Sequence, residues 1–256
     1  MTYVSNFSRK PKPRRSRYLL NDQLLQGGSA LAYQNGLPAL FDSGHPVAPP
    51  LTKERRLQLA LKRALDIIAA PLAILMLSPL LIAIAAAIKL TSRGPVFFYQ
   101  TRPGHGGRPF RMIKFRTMYV ERGDLSGIQQ TTVGDDRVTV IGRFLRQASL
   151  DELPQLFNVV AGEMSLVGPR PHVEGMQAAG RDYRELVPHY EYRYWMRPGV
   201  TGWAQANGLR GPTGDAGRAR ARIDHDVAYI QNFSVLLDLK IMWLTVRREF
   251  LSGSGV

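Results

Sequence analysis

Asp151 and Glu152 form an adjacent acid pair, with Arg143 and Arg146 just before it and Arg170 shortly after. Two carboxylates among guanidinium groups suit chemistry on a phosphate. One acid can attack or accept a proton, the other can hold a divalent metal, and the arginines absorb charge on the phosphate oxygens. The sequence Ser-Leu-Asp-Glu at 149–152 also reads as a capping box, with Ser149 at the N-cap and Glu152 at N3. Acids there would simply favour the helix dipole. The two readings can coexist, because an anion at Asp151 would lie near the free N–H groups of a helix start. In Gly-Pro-Arg-Pro at 168–171 each proline fixes its own φ and biases the residue before it towards extended geometry. Arg170 is thereby presented on a stiff backbone, and an arginine suits bidentate phosphate binding better than a lysine. Residues 110–116 alternate basic and apolar side chains, a strand pattern that puts Lys114 and Arg116 on one face, either solvated or touching phosphate.

The elements that must position these groups are bounded first by composition. The chain of 256 residues is long enough for one sizeable domain with appendages. It has no cysteine, which excludes disulfides, thiol catalysis and Cys-ligated metals, and its five histidines show no metal-ligand spacing. The formal net charge is +14; six of those positive charges lie between Arg9 and Arg17, before the first acid, Asp22, and the body is basic without them. Nucleic acid, anionic headgroups and phosphorylated substrates are the partners such a charge suits.

Residues 1–55 are basic and rich in Pro and Gly, with no apolar period that could build a core element and no apolar run of a secretory signal. They read as a disordered tail, either solvated or lying on anionic lipid as a polybasic arm. Residues 56–92 hold the uncharged run 67–88, long enough to reach across a hydrocarbon core. Ser78 and Pro79 interrupt its middle, and both flanks are cationic, with Lys62 and Arg63 before it and Lys89, Arg93 and Arg102 after it. A helix–break–helix that dips into one leaflet and returns satisfies both features, with a kinked spanning helix and a buried soluble helix as the alternatives. Residues 93–252, which hold the acid pair, read as the candidate catalytic region: short strands near 94–100 and 110–116, a polar and mobile loop over 121–136, and a helical or mixed apolar pattern over 138–145. A helical pattern over 174–193 is interrupted at Pro188, and apolar helical spacing returns over 223–250. Trp195, Trp203 and Trp243 suit either the core or a membrane interface. The expected fold is α+β and predominantly helical: a monotopic membrane protein with a re-entrant helix and amphipathic interfacial helices towards its C-terminus.

Taken together, several segments resemble the monotopic phosphoglycosyl transferases, the bacterial sugar transferase family. They are Lys62 and Arg63 with Asp66; the Ser78, Pro79 break; Ser-Arg-Gly-Pro-Val at 92–96 with Gln100 and Arg102; Lys-Phe-Arg-Thr-Met at 114–118; Ser-Leu-Asp-Glu-Leu-Pro-Gln at 149–155; and Met-Ser-Leu-Val-Gly-Pro-Arg-Pro at 164–171. Their order and spacing cover residues 58–250. The resemblance implies transfer of a sugar-1-phosphate from a UDP-sugar to undecaprenyl phosphate. It implies Asp151 as nucleophile, Glu152 as catalytic partner and Mg²⁺ ligand, and Arg146, Arg170, Lys114 and Arg116 as substrate-binding residues. The segment Arg-Pro-Gly-Val-Thr-Gly-Trp-Ala-Gln at 197–205, with Asp226, Tyr229 and Ile230, resembles the hexose branch that starts exopolysaccharide or O-antigen assembly with glucose or galactose. Implied with these are a bacterial inner-membrane location with the site on the cytoplasmic face, membrane lipid as a partner and no nucleic acid. A second copy and other glycan-assembly enzymes are the candidate protein partners. Two rival readings are a basic membrane-anchored module for lipid or nucleic acid, and a catalytically dead scaffold of a polysaccharide assembly complex. Paired acids among the arginines would repel a polyanion, and an intact acid pair with Arg170 speaks against a dead site.

Overall fold

The computed structural model describes residues 41–42, 45–46, 48–122, 131, 134–211 and 214–252. Most of the 1–55 tail and of the 121–136 loop therefore lies outside the described residues. Within the tail, Phe41–Asp42 pairs antiparallel with His45–Pro46.

Helix α1, Lys53–Thr91, begins where the Thr52 hydroxyl accepts from Arg55 N at 3.2 Å, and carries Glu54 in its first turn and Lys89 in its last. At about 1.5 Å per residue it is about 58 Å long, and its length and composition would let it cross a membrane. The break expected at Ser78 and Pro79 does not interrupt it: Pro71 and Pro79 both sit inside one continuous helix. Pro79 has no N–H to give the carbonyl of Leu75, and the Ser78 hydroxyl donates to that oxygen instead, at 2.8 Å. Lys62, Asp66, Ala70, Ile84 and Ile88 are buried, with Ala73, Ile74, Leu77, Leu81 and Ala85 partly buried between them. This stripe of helical period faces the rest of the protein along nearly the whole helix. The opposite faces leave Ile68, Leu72, Leu75, Met76 and Ile82 more than half exposed, so the soluble-core alternative is excluded.

The two expected short strands form as β1, Phe97–Pro103, and β2, Pro109–Phe115, and they pair as an antiparallel hairpin with Phe98 opposite Lys114 and Arg102 opposite Phe110. Helix α2, Val140–Gln147, is capped by the Thr139 hydroxyl on Gly142 N at 2.9 Å. Helix α3, Gln155–Ala161, ends at Gly162 in the left-handed region. Strand β3, Ser165–Val167, lies parallel to β4, Gly199–Thr201. Between these two strands the expected helix over 174–193 does not form. Instead Gln177–Ala178 and Arg181–Asp182 make a hairpin around Ala179 and Gly180, both with positive φ, before one helical turn, Tyr183–Leu186, and a 3₁₀ segment, Tyr190–Trp195. The two positive-φ residues select a tight hairpin turn, and Pro188 stops propagation beyond it. The apolar pattern over 223–250 is likewise divided into α4, Ala216–Asn232, and α5, Val235–Ser252, broken at Phe233 and Ser234. Trp203 joins the core, whereas Trp195 and Trp243 are exposed.

A buried polar network fastens α1 to this body. Lys62 Nζ donates to Asp238 Oδ2 and to the Val167 carbonyl, both at 2.7 Å, and Tyr229 OH donates to Asp238 Oδ1 at 2.7 Å. One turn on, Asp66 Oδ1 accepts from Ser165 Oγ at 3.0 Å and from Leu166 N at 2.9 Å. Both contacts end on β3, the strand that leads into Arg170. Lys62→Ala leaves Asp238 buried without its cation. The expected loss of stability is about 3–5 kcal/mol, read by unfolding of the detergent-solubilised chain. An unchanged midpoint would contradict the role given to this pair.

Candidate active site

The acid pair sits on a single 3₁₀ turn, Leu150–Glu152, between α2 and α3. Ser149 enters it in the left-handed region at φ 53° and makes no side-chain cap, and α3 starts only at Gln155. The capping-box reading therefore fails: the left-handed Ser149 sets the turn apart from α3. The tight turn sends its two acids into different surroundings. Glu152 Oε1 accepts from Lys114 Nζ at 2.7 Å and from Arg170 Nη2 at 2.5 Å, and Oε2 accepts from Arg170 Nη1 at 3.0 Å. Among the described residues the Asp151 carboxylate accepts no hydrogen bond, although its residue is 8% exposed.

Their protonation diverges accordingly. Burial pushes the Glu152 carboxyl up, but Arg170 and Lys114 outweigh it and hold it well below the ordinary carboxylate range. Burial also pushes Asp151 up; Lys114 pulls it back, Glu152 adds to the rise, and Arg146 and Arg170 oppose it less strongly. The result is a raised Asp151 beside a firmly ionised Glu152.

Arg170 is fixed from behind. Gly168 N donates to Thr201 O at 2.9 Å and Gly199 N to Pro169 O at 3.0 Å, which ties the Gly-Pro-Arg-Pro turn to β4. A Cβ on Gly168 would come within 2.4 Å of the Arg197 carbonyl oxygen, so this approach requires glycine. Arg193 then grips the turn: Nη2 donates to the Arg170 carbonyl, Nε to Asp226 Oδ2 at 2.8 Å, and Nη1 to His172 Nδ1 at 3.1 Å.

The remaining expected residues divide. Arg146 Nε donates to Thr117 Oγ1 at 2.8 Å and Nη1 to Thr131 Oγ1 at 2.5 Å; it is close enough to act on Asp151's protonation without forming an ion pair. Arg143 is exposed on α2. Arg116 does not join Lys114. β2 ends at Phe115, so strand alternation no longer governs Arg116, and its guanidinium turns to the end of α1, donating to the carbonyls of Ser92 and Arg93. Arg193, His172 and Arg222 were not singled out by sequence, because nothing in local spacing places them beside a turn formed elsewhere in the chain.

Glu152 would be the residue to hold a Mg²⁺ here, with the rest of the shell coming from outside the protein. Three donors engage the Glu152 carboxylate, whose two oxygens offer about four lone-pair positions, so one remains for a metal bond. Mg²⁺ commonly takes one or two carboxylates and completes its shell with water and substrate phosphates. A cage made by the protein alone is not present among the described residues, where no group of three or more His, Asp or Glu side chains gathers.

The chain is similar over most of its length to proteins with assigned roles. It is 50% identical over 199 residues to the exopolysaccharide production protein PSS of Rhizobium leguminosarum bv. phaseoli, covering 78% of this chain and all of that protein. It is 46% identical over 229 residues to the UDP-glucose:undecaprenyl-phosphate glucose-1-phosphate transferase of Escherichia coli (strain K12), covering 89% of this chain and 47% of that one. Against the UDP-N-acetylgalactosamine-undecaprenyl-phosphate N-acetylgalactosaminephosphotransferase of Aeromonas hydrophila the identity is 47%, over 76% of this chain and 44% of the relative. The chain thus spans less than half the length of the last two. The Bacterial sugar transferase family matches residues 57–252, from the start of α1 through the acid pair and the Arg170 turn to the end of α5, and the chain belongs to that family.

Proposed function

We propose that this protein transfers a hexose-1-phosphate, from UDP-glucose or UDP-galactose, to undecaprenyl phosphate and so initiates an exopolysaccharide or related glycan. The observation that carries this reading is the division of labour on one turn: Glu152 ionised and clamped by Lys114 and Arg170, Asp151 buried and, among the described residues, without a hydrogen-bond donor. A carboxylate in that second condition is a nucleophile whose lone pairs no donor engages.

In the reaction, an Asp151 oxygen attacks the phosphorus that bears the sugar. The bond from that phosphorus to the bridging oxygen breaks, and UMP leaves with the electron pair. An oxygen of the lipid phosphate then attacks the same phosphorus, the acyl phosphate bond breaks, and Asp151 is regenerated as carboxylate. Arg170 and Lys114 hold compensating charge beside the phosphoryl oxygens throughout, and Arg146 adds a third positive charge within electrostatic range of Asp151. When bound, Mg²⁺ would neutralise diphosphate charge, with Glu152 the residue to hold it. The acceptor is amphiphilic, which fits the apolar exposed faces of α1. Because the inner stripe of α1 stays on the body along its length and both flanks are cationic, we read the helix as seated in one leaflet of the inner membrane. The site then lies at headgroup depth on the cytoplasmic side.

UMP release from UDP-glucose, UDP-galactose and UDP-N-acetyl sugars, each with Mg²⁺ and undecaprenyl phosphate, tests the reading. One hexose donor is expected to support release, and Asp151→Asn to reduce it on the order of 10³-fold or more. Release from none of them by folded protein, or an active Asp151→Asn chain, would overturn it. The acid limb of kcat/KM tests the protonation argument. Attack needs ionised Asp151, whose pKa is raised, so the rate falls as pH drops through that raised value. Lys114 is the strongest group holding that value down. Lys114→Met is therefore expected to move the acid limb to higher pH, and a limb that stays in place contradicts the assignment.

A further inference from the structure

Behind Arg170 lie two guanidiniums, one part-buried and one buried, that make no ion pair among the described residues. Arg102 on β1 donates to the Gln100 amide oxygen and, at 3.3 Å, to the Pro171 carbonyl. Arg222 on α4 is 5% exposed and donates from Nη2 to the Gly211 carbonyl at 2.9 Å, while its Nε is buried without a partner. Among the described residues neither has a carboxylate within 4.0 Å; Asp226, one turn along from Arg222, is already held by Arg193. Burial, followed by the charge of Arg170, lowers Arg102 to about 10, and Arg222 is lowered by burial as well. Burying a cation without an ion-pair partner is unfavourable, and the three carbonyl oxygens now holding these arginines, of Gln100, Pro171 and Gly211, are neutral.

Two neighbouring polar atoms point to the same kind of ligand. His172 Nδ1 lies 3.1 Å from Arg193 Nη1, which can only donate, so Nδ1 is the acceptor and a neutral His172 carries its proton on Nε2. Burial and the surrounding arginines hold His172 well below its ordinary pKa, which keeps it neutral. That Nε2–H is buried without an acceptor, and so is the hydroxyl of Tyr183, whose ring centroid is 4.9 Å from that of His172. Arg222 Nε–H, His172 Nε2–H and Tyr183 O–H all have a proton to give, and what they lack is oxygen. Arg222 is within electrostatic range of both His172 and Tyr183, and of Arg170.

We propose that Arg222, supported by Arg102, His172 and Tyr183, forms a second oxyanion subsite, which binds a phosphate group other than the one attacked by Asp151. Resting on the transferase reading above, the ligand chemistry is a phosphate ester. It is carried either by the nucleotide, as the phosphate that leaves in UMP, or by the lipid acceptor. The guanidiniums exchange their neutral carbonyl partners for phosphate oxygens when the ligand enters between the 170–172 turn and the loop ending at Gly211.

The test is equilibrium binding of UMP and, separately, of a short-chain polyprenyl phosphate to the full detergent-solubilised chain and to Arg222→Gln. Affinity for one of the two is expected to fall at least tenfold, the affected ligand naming the source, while the melting temperature stays level or rises because an unbalanced buried charge is gone. Where Arg222→Gln does not fold, Arg222→Lys is measured in the same way. It keeps the charge but loses the Nε donor, and a tenfold loss is again expected. Unchanged affinity for both ligands in a folded variant would overturn the subsite and leave the transferase reading standing. Wild-type chain that binds neither ligand would remove both.

Discussion

Neighbouring carboxylates repel, and burying both in one turn is unfavourable unless cations compensate one of them. Here the compensation is concentrated on Glu152, which takes a two-pronged contact from Arg170 and a third bond from Lys114. This ion triad joins three segments far apart in sequence: β2, the 150–152 turn and the loop after β3. It fixes Lys114 and Arg170 beside the turn, and among the described residues it leaves Asp151 without a hydrogen-bond donor. Much of the surrounding architecture can be understood as support for it. Gly168 and Gly199 allow the Arg170 turn to press against β4, and Arg193, anchored on Asp226, holds the backbone of Arg170 itself.

The same logic extends to α1. Its buried Lys62 and Asp66 both bond to β3, so the long apolar helix and the strand that delivers Arg170 share one polar anchor. A lipid-linked acceptor must bring its phosphate to a polar site while its chain remains in apolar surroundings. On the proposed function, such a substrate calls for mechanical continuity between the apolar helix and the Arg170 loop. Arg116, which strand alternation left either solvated or on phosphate and the family resemblance named as substrate-binding, serves this continuity by binding the carbonyls at the end of α1.

The site was legible in the sequence where chemistry is local. Adjacent acids, a proline-bracketed arginine and a lysine on an alternating strand announce themselves through residue type and spacing, and Lys114, Glu152 and Arg170 do converge. Local patterns failed where tertiary geometry decides. The capping box at 149–152 yields to a left-handed Ser149, and the helix over 174–193 yields to a turn at Ala179 and Gly180. The interruption at Pro79 is bridged by a neighbouring hydroxyl that a proline rule alone does not consider. His172 and Arg222 could not be ranked beforehand, because their significance lies in which buried groups lack a partner, and Arg193 could not because its partners Asp226 and the Arg170 carbonyl come from distant segments; spacing carries no trace of either.

The central claim is that Asp151 becomes covalently attached to the sugar phosphate. The most direct measurement is peptide mass spectrometry of the chain after brief exposure to its UDP-sugar without lipid acceptor. A phosphosugar adduct on Asp151, formed together with one equivalent of UMP and discharged on addition of undecaprenyl phosphate, is the predicted result. UMP that appears only when both substrates are present, with Asp151 unmodified throughout, would show direct transfer between the substrates and contradict the account.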